Sequence, residues 1–190
     1  YGLSYVARGD AALTGVVAGA FRERPWGIFV HALFGSVVLL ALVVQFAPGL
    51  RARRPRLHRV AGRAYVGAGL ATAAAGLYMA AHAYGGWPTR LAFALLALGS
   101  LGTTALALAA ALRREFAAHR RWAVRSAALF FSAVTLRVEL PLLILLFEGR
   151  FRPAYFVVAW LCWVPNVLWA EWWLRRGRAT SGAAGRVGLA

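Results

Sequence analysis

Hydrophobic residues in this chain are grouped into five long runs, separated by short segments rich in Gly, Pro and Arg. The runs are Trp26–Ala47, Val60–Tyr84, Leu91–Leu112, Trp122–Phe147 and Ala154–Leu174. A helix of about 20 residues crosses a hydrocarbon core of about 30 Å, whereas a spanning strand is about half as long. Because backbone groups in lipid must be satisfied internally, the pattern predicts an all-α, polytopic transmembrane helical bundle with five visible spans.

The segments between the runs carry residues typical of turns. They are Pro48-Gly49, Gly85-Gly86-Trp87-Pro88 and Gly149 to Pro153. We therefore expect one helical bundle over residues 25–174, preceded by an N-terminal segment outside the membrane (1–24) and followed by a basic tail (175–190).

The N-terminal segment contains one apolar stretch, Ala11 to Phe21, which is too short and Gly-rich for a span. We expect it to lie outside, for example as an interfacial helix. The chain does not begin with Met, so a further helix upstream of Tyr1 is an open alternative.

The composition narrows the class of protein. Hydrophobic residues make up 61% of the 190 residues, and the net charge is +16 because 22 basic residues, all Arg, face only 6 acids. Such a chain is neither acidic nor disordered, and with Cys162 as its one cysteine it is no disulfide scaffold. Nucleic-acid binders and membrane proteins can both carry so much Arg, and the positions of the arginines distinguish the two.

The arginines lie at the ends of alternate runs. The first loop, the third loop and the tail hold most of them: Arg51, Arg53, Arg54, Arg56, Arg59, Arg113, Arg114, Arg120, Arg121, Arg175, Arg176, Arg178 and Arg186. By the positive-inside rule these segments are cytoplasmic in a bacterial inner membrane, near anionic lipid head groups, and Tyr1 is outside. A nucleic-acid partner is excluded, because the arginines do not form one stripe or arm.

Four histidines are candidates for haem ligation, since helical bundles can clamp haem iron between two imidazoles. We expect an inner pair, His58 with His119, and an outer pair, His31 with His82. Arginines near the inner pair could neutralise haem propionates: Arg59, Arg63, Arg120, Arg121 and Arg125. Gly35 and Gly62 follow His31 and His58 by one turn, where the missing side chain would leave room for a flat macrocycle.

These histidines also have plainer interpretations. His58 and His119 could anchor the helices in the inner head-group region, and His82 could be interfacial. His31 lies a turn and a half inside its span, so it should face the bundle interior and have a partner.

A second group of polar residues is expected in the outer half of the membrane. Arg137 and Glu139 are two residues apart on the fourth run, so they lie on different faces and need separate partners. His31, His82, Tyr78 and Asn166 are at a similar depth. The hypothesis is an intramembrane polar cluster of Arg137, Glu139, His31 and Asn166, which serves either as a structural network or as a proton path or ligand pocket.

Several motifs in order resemble those of a family of predicted bacterial multi-pass membrane proteins, a domain of unknown function. They are Pro25-Trp26 with His31, Pro55 to Tyr65, His119 to Ser126, and Thr135 to Arg137. The resemblance covers about residues 25 to 145 and implies architecture and candidate positions but no reaction. It also implies one more helix before the His31 segment. Ala123 stands where that family often has Met.

A looser likeness is to two-haem membrane cytochromes of the b561 type, in which a His followed four residues later by Gly recurs at membrane ends. Their ligands come from four helices, whereas His58 and His82 share one run here. No motif names an enzyme class. Three interpretations stay open: a b-type haem electron-transfer module, a cofactor-free accessory or structural subunit of a membrane complex, and a transporter or lipid-handling protein.

Overall fold

The computed structural model describes residue 23 and residues 25–187, with side chains through Arg176. Every regular element in this part of the chain is a helix, which confirms the all-α prediction for these residues. The helices are α1 (Pro25–Phe46), α2 (Leu50–Arg53), α3 (Pro55–Ala80), α4 (Trp87–Leu112), α5 (Phe116–Leu146), α6 (Phe151–Leu161) and α7 (Val164–Val187). Apart from Glu23, the expected N-terminal segment and its stretch Ala11–Phe21 lie outside the described residues.

The predicted turns contain the backbone conformations that their glycines permit. Gly85 and Gly86 join α3 to α4 with φ of +95° and +88°, a region that other residues rarely adopt. A Cβ at Gly85 would also lie 2.7 Å from Thr89 Oγ1. The chain therefore reverses direction here only because both positions lack a side chain, and Pro88 then starts the next helix.

Four helical segments are long and apolar enough to cross a membrane, by length and composition: Pro25–Phe46, Trp87–Leu112, Phe116–Leu146 and Phe151–Arg176. They correspond to four of the five predicted spans. α3 also has 26 residues, but Ala and Gly dominate it, and Arg56, Arg59 and Arg63 lie in its first turns. The arginines lower the mean hydropathy of α3 and the glycines add nothing to it, so the second predicted span does not stand out by composition.

Helices α1, α3, α4 and α5 form a ring in which α1 packs on α3, α3 on α4, α4 on α5 and α5 on α1. α3 and α5 therefore face each other diagonally across the ring. α6 and α7 pack outside it, both against α5. We call the end near the α1–α3 and α4–α5 connections the Arg-rich end, after Arg51, Arg53, Arg54, Arg113 and Arg114.

The centre of the ring is an apolar core. Val38 is fully buried, and Tyr65 and Phe130 from the diagonal helices meet edge to face with ring centroids 5.7 Å apart. Gly69 brings α3 close enough for this contact, because a Cβ there would lie 3.2 Å from the Phe130 ring. By contrast, a Cβ at Gly67 would have no atom within 4 Å, so this glycine faces open space.

We expect Gly69→Val to destabilise the bundle by roughly 1–3 kcal/mol, because the added side chain overpacks the core beside Phe130. The matched variant Gly67→Val adds the same side chain to the same helix without a steric conflict. Denaturation followed by helical circular dichroism in detergent compares the two. Equal stability of both variants would contradict this packing.

Candidate functional site

Polar side chains on the two diagonal helices recur at seven-residue intervals. His58, Tyr65 and Thr72 are so spaced on α3, and His119 and Ser126 on α5. Seven residues are about two helical turns, so each set lies on one face of its helix. Both helices run away from the Arg-rich end, and the two sets therefore meet inside the ring in matching order.

The middle of this arrangement is a layer of three buried hydroxyl groups. Ser126 Oγ lies 2.8 Å from Tyr65 Oη and 2.8 Å from Thr104 Oγ1, so one serine joins α3, α4 and α5. Ser126 and Thr104 are fully buried, and Tyr65 nearly so. Sequence reasoning did not assign these residues, although Tyr65 and Ser126 end the two longest motifs and follow His58 and His119 by seven residues.

At the Arg-rich end, polar groups of all four ring helices lie together. They are His58 of α3, His119 of α5, Gln45 of α1 and the Ala107 carbonyl of α4. His119 Nδ1 lies 2.8 Å from the Ala107 carbonyl of α4, and since a carbonyl only accepts, Nδ1 carries the proton and donates. Gln45 of α1 donates to the His58 carbonyl at 2.7 Å. His58 Nδ1 is buried and has no hydrogen-bond partner among the described residues.

The electrostatic surroundings keep His58 neutral. Burial lowers its pKa below the usual value of 6.5, and the charges of His119 and Arg51 lower it further. His58 therefore presents an uncharged imidazole at neutral pH. The two histidines of the expected inner pair are thus close enough for the charge of His119 to act on His58. A neutral His58 keeps a lone pair on one ring nitrogen, which could bind a ligand.

The arginines expected around this pair have separate roles. Arg59, Arg63 and Arg120 are exposed at the Arg-rich end, and the Arg120 guanidinium lies 5.3 Å from the Trp173 ring centroid. Arg125 instead turns toward α7, where its Nε and Nη2 donate to the two carboxylate oxygens of Glu171.

This bidentate pair ties the last helix to the ring. Both side chains are mostly buried, at 19% and 29% exposure, and the Arg125 guanidinium also stacks on Trp122. Arg175 follows Glu171 by four residues and is the partner that spacing along one helix would favour, whereas a partner on another helix, such as Arg125, cannot be recognised from that spacing.

In the other half of the bundle, His31 has a hydrogen-bond partner on another helix, as its position inside the predicted span led us to expect. Its Nδ1 donates to the Thr72 carbonyl at 3.0 Å, and Thr72 Oγ1 donates back to the His31 carbonyl at 2.8 Å. His82 is exposed in the turn that follows α3, and its Nδ1 donates to the Tyr78 carbonyl of that helix. The His31 ring packs against Gly76, four residues or about 6 Å before the end of α3, so the structure does not bring the expected outer pair together.

The space expected beside Gly35 and Gly62 is already filled. A Cβ on Gly35 would lie 3.3 Å from Thr72 Oγ1, and a Cβ on Gly62 would lie 3.5 Å from the Gln45 amide. Gly35 thus has the Thr72 hydroxyl in the place expected for a macrocycle, and Gly62 has the end of the Gln45 side chain at ordinary contact distance. They allow α1 and α3 to approach closely, as small residues do in membrane bundles.

The expected cluster of Arg137, Glu139, His31 and Asn166 divides into two. Arg137 lies near enough for its charge to act on His31. Asn166 belongs to the other part, because its amide donates to the Cys162 carbonyl and to Thr135 where α6 and α7 meet. Glu139 lies near Cys162 on that side, and its buried Oε2 has no partner in the described part of the chain.

Residues 23 and 25–187 contain no site that could hold a metal ion by side chains alone. No three or more of their His, Cys, Asp and Glu side chains are grouped closely enough to bind one. A haem iron would need only two histidines from the chain, because the porphyrin would supply its other ligands.

Comparison with known proteins identifies one family. The family model described as "Predicted membrane protein (DUF2306)" matches residues 28–174. Neither the curated proteins nor the solved structures gave a match. The likeness to b561-type cytochromes thus has no support from these comparisons.

Removal of the Ser126 hydroxyl should cost more stability than removal of the Tyr65 hydroxyl. Ser126→Ala leaves two buried hydroxyls without their shared partner, at roughly 1–3 kcal/mol each, whereas Tyr65→Phe keeps the bond between Ser126 and Thr104. Unfolding in mixed micelles measures both variants. The shared role of Ser126 would be refuted if Tyr65→Phe were the more destabilising change.

Glu171→Gln should weaken the attachment of α7 to the ring by roughly 1.5–3 kcal/mol, because it removes a bidentate bond to a charged, partly buried Arg125. Glu148→Gln is the matched control, since Glu148 is exposed and lies 3.7 Å from Arg150. Limited proteolysis after residue 150 and thermal unfolding report the difference. Similar behaviour of the two variants would argue against the clamp.

Proposed function

We propose that this chain, which belongs to the DUF2306 family of predicted membrane proteins, binds one b-type haem between His58 and His119 and acts in electron transfer. The observation that supports it is the His58 imidazole, which has a buried Nδ1 without a described partner and lies near enough to His119, on the diagonal helix, for the charge of His119 to lower its pKa. Only the pair at the Arg-rich end enters this proposal.

Two neutral imidazoles are a donor set that would suit a haem iron. His119 donates its Nδ1 proton to the Ala107 carbonyl, which leaves Nε2 as the ligating nitrogen in the way that second-shell bonds orient metal-binding histidines. The described surroundings of the pair carry arginines, so a bare dication would be repelled there. A haem brings two propionates, which Arg59, Arg63 and Arg120 can neutralise at the membrane surface.

The hydroxyl layer gives the two histidines a fixed frame. Because Ser126 links all three helices next to this end, α3 and α5 hold a constant separation two turns from His58 and His119. When bound, a b-type haem would supply a one-electron carrier. The chain itself orients the two imidazoles, keeps His58 neutral and provides counter-charges.

We also propose five membrane spans. The fifth is α3, which is one of the four ring helices and has the same length as α4. The Arg-rich end faces the cytoplasm of a bacterial inner membrane, where its arginines contact anionic lipids. Electron exchange would then take place on the cytoplasmic side.

A cofactor-free accessory or structural subunit is the second candidate. The filled spaces at Gly35 and Gly62 favour it, since the helices there pack on each other without room for a ligand. The Arg125–Glu171 pair is also a purely structural use of an arginine from the His119 to Ser126 motif.

An absorption spectrum distinguishes the two candidates. We expect chain purified from haem-supplemented membranes to show a Soret band that His58→Ala or His119→Ala abolishes, because each removes one axial ligand. His82→Ala is the matched control and should keep the band. Folded but colourless wild-type protein would reject the haem proposal and favour the structural subunit.

A further inference from the structure

One face of α5 packs against α6 outside the ring. Leu143 of α5 forms a buried apolar cluster with Val158 and Cys162 of α6, and Leu136 and Leu140 of α5 pack against this cluster. These leucines are separated by three, four and seven residues, so they lie on one face of their helix. The surroundings of this face are therefore apolar side chains of α5 and α6.

Glu139 lies on the same face of α5. It follows Leu136 by three residues and precedes Leu143 by four, and residues at these spacings are neighbours on a helix surface. It also lies one turn beyond Thr135, whose hydroxyl donates to the Cys162 carbonyl just after the end of α6. An acidic side chain is thus placed in the contact between α5 and α6.

The carboxyl group of Glu139 is partly enclosed in this contact. Its Oε2 is buried and has no hydrogen-bond partner in the described part of the chain. The residue as a whole is only half-buried, so part of the side chain lies at the outer surface of the bundle. The group is therefore open to small lipid-soluble molecules, although one of its oxygens is enclosed.

The membrane depth of Glu139 also keeps it away from water. The segment Phe116–Leu146 is long and apolar enough to cross a membrane, and Glu139 lies seven residues before its end, about 11 Å. Side chains on a helix point toward its N-terminus, which here is away from the nearer membrane surface. The short side chain of a glutamate therefore does not reach the head groups.

No cation of the described residues pairs with Glu139. Arg137 lies two residues away, on another face of α5, and bonds to the Ala133 carbonyl. On α6 the described arginine is Arg152, which lies ten residues, about 15 Å, before Cys162.

The other titratable groups on the two helices packed here supply no positive charge to it. Tyr155 and Cys162 of α6 carry no positive charge in any protonation state. The described charged residues of α7 begin at Glu171, which binds Arg125, and Arg125 lies fourteen residues or about 21 Å from Glu139 along α5. An ionised Glu139 would therefore be an uncompensated charge among apolar side chains, and a carboxyl group in that position takes up a proton instead.

We propose that Glu139 is a proton-binding site within the membrane, at the contact of α5 with the end of α6. The hydroxyl of Thr135 and the amide of Asn166 both donate to the Cys162 carbonyl, so these neighbours are already engaged. Because part of the side chain is at the surface of the bundle, the bound proton is open to exchange. This site is separate from the histidines at the Arg-rich end.

Infrared spectroscopy of the full chain in dodecylmaltoside tests this site, because a protonated carboxyl group has a C=O stretch that a carboxylate lacks. The chain has only 6 acidic residues, so the loss of one such band is measurable. We expect a band at neutral pH that Glu139→Gln abolishes. The matched variant Glu148→Gln should keep it, since Glu148 is exposed at the end of the helix.

Dicyclohexylcarbodiimide, a lipid-soluble reagent for protonated carboxyl groups, is the second probe. The O–H adds across one C=N bond: the oxygen bonds to the central carbon, the proton goes to nitrogen, and nothing leaves. An ordinary glutamate with a pKa of about 4.3 is protonated in roughly one molecule in 500 at neutral pH. We therefore expect Glu139 to be labelled on the order of 100-fold faster than Glu148, measured by peptide mass spectrometry.

The two measurements decide the proposal together. Circular dichroism establishes that each variant is helical, and the labelling comparison needs only the wild-type chain, so it holds even if Glu139→Gln does not fold. The proposal would be overturned by a folded wild-type chain without the band, by a band that persists in Glu139→Gln, or by equal labelling of Glu139 and Glu148.

Discussion

A buried hydroxyl in lipid must find its partner inside the protein, and the Ser126 hydroxyl satisfies this constraint for three helices at once. It bonds to Tyr65 of α3 and Thr104 of α4, while its own backbone belongs to α5. The apolar contact of Tyr65 with Phe130 lies directly beside this layer. The hydrogen bonds fix which residues meet, and the contact between the Tyr65 and Phe130 side chains fills the space between the diagonal helices.

The buried hydroxyl layer and the Tyr65–Phe130 contact separate the two halves of the ring, and the two halves differ in their polar groups. The Arg-rich end has a pair of histidines among arginines, with one imidazole kept neutral by burial and positive charge. The other half has a histidine that bonds to Thr72 and an exposed arginine, Arg137, that bonds to the Ala133 carbonyl. The described polar groups thus lie in two separate parts of the ring.

The outer helices add a different kind of stabilisation. The pair of Arg125 and Glu171 joins α5 to α7, and Thr135 and Asn166 bond to the Cys162 carbonyl where α6 ends. Pro165 lacks the N–H that would continue the helix from Leu161, so the predicted single span becomes two helices. The polar side chains near the break provide hydrogen bonds where the regular helical pattern is interrupted.

The sequence by itself determined the class of fold, the positions of most helices and the residues that could bind or react. The length of an apolar run and the presence of turn residues are local properties of the chain. The sequence also placed His31 correctly beside a partner, since depth along a helix follows from counting residues. Only the tertiary structure decided which side chains meet: Ser126 with Tyr65 and Thr104, Arg125 with Glu171, and Gly35 with Thr72. Those contacts depend on the order and rotation of helices around the ring, and packing between helices sets both.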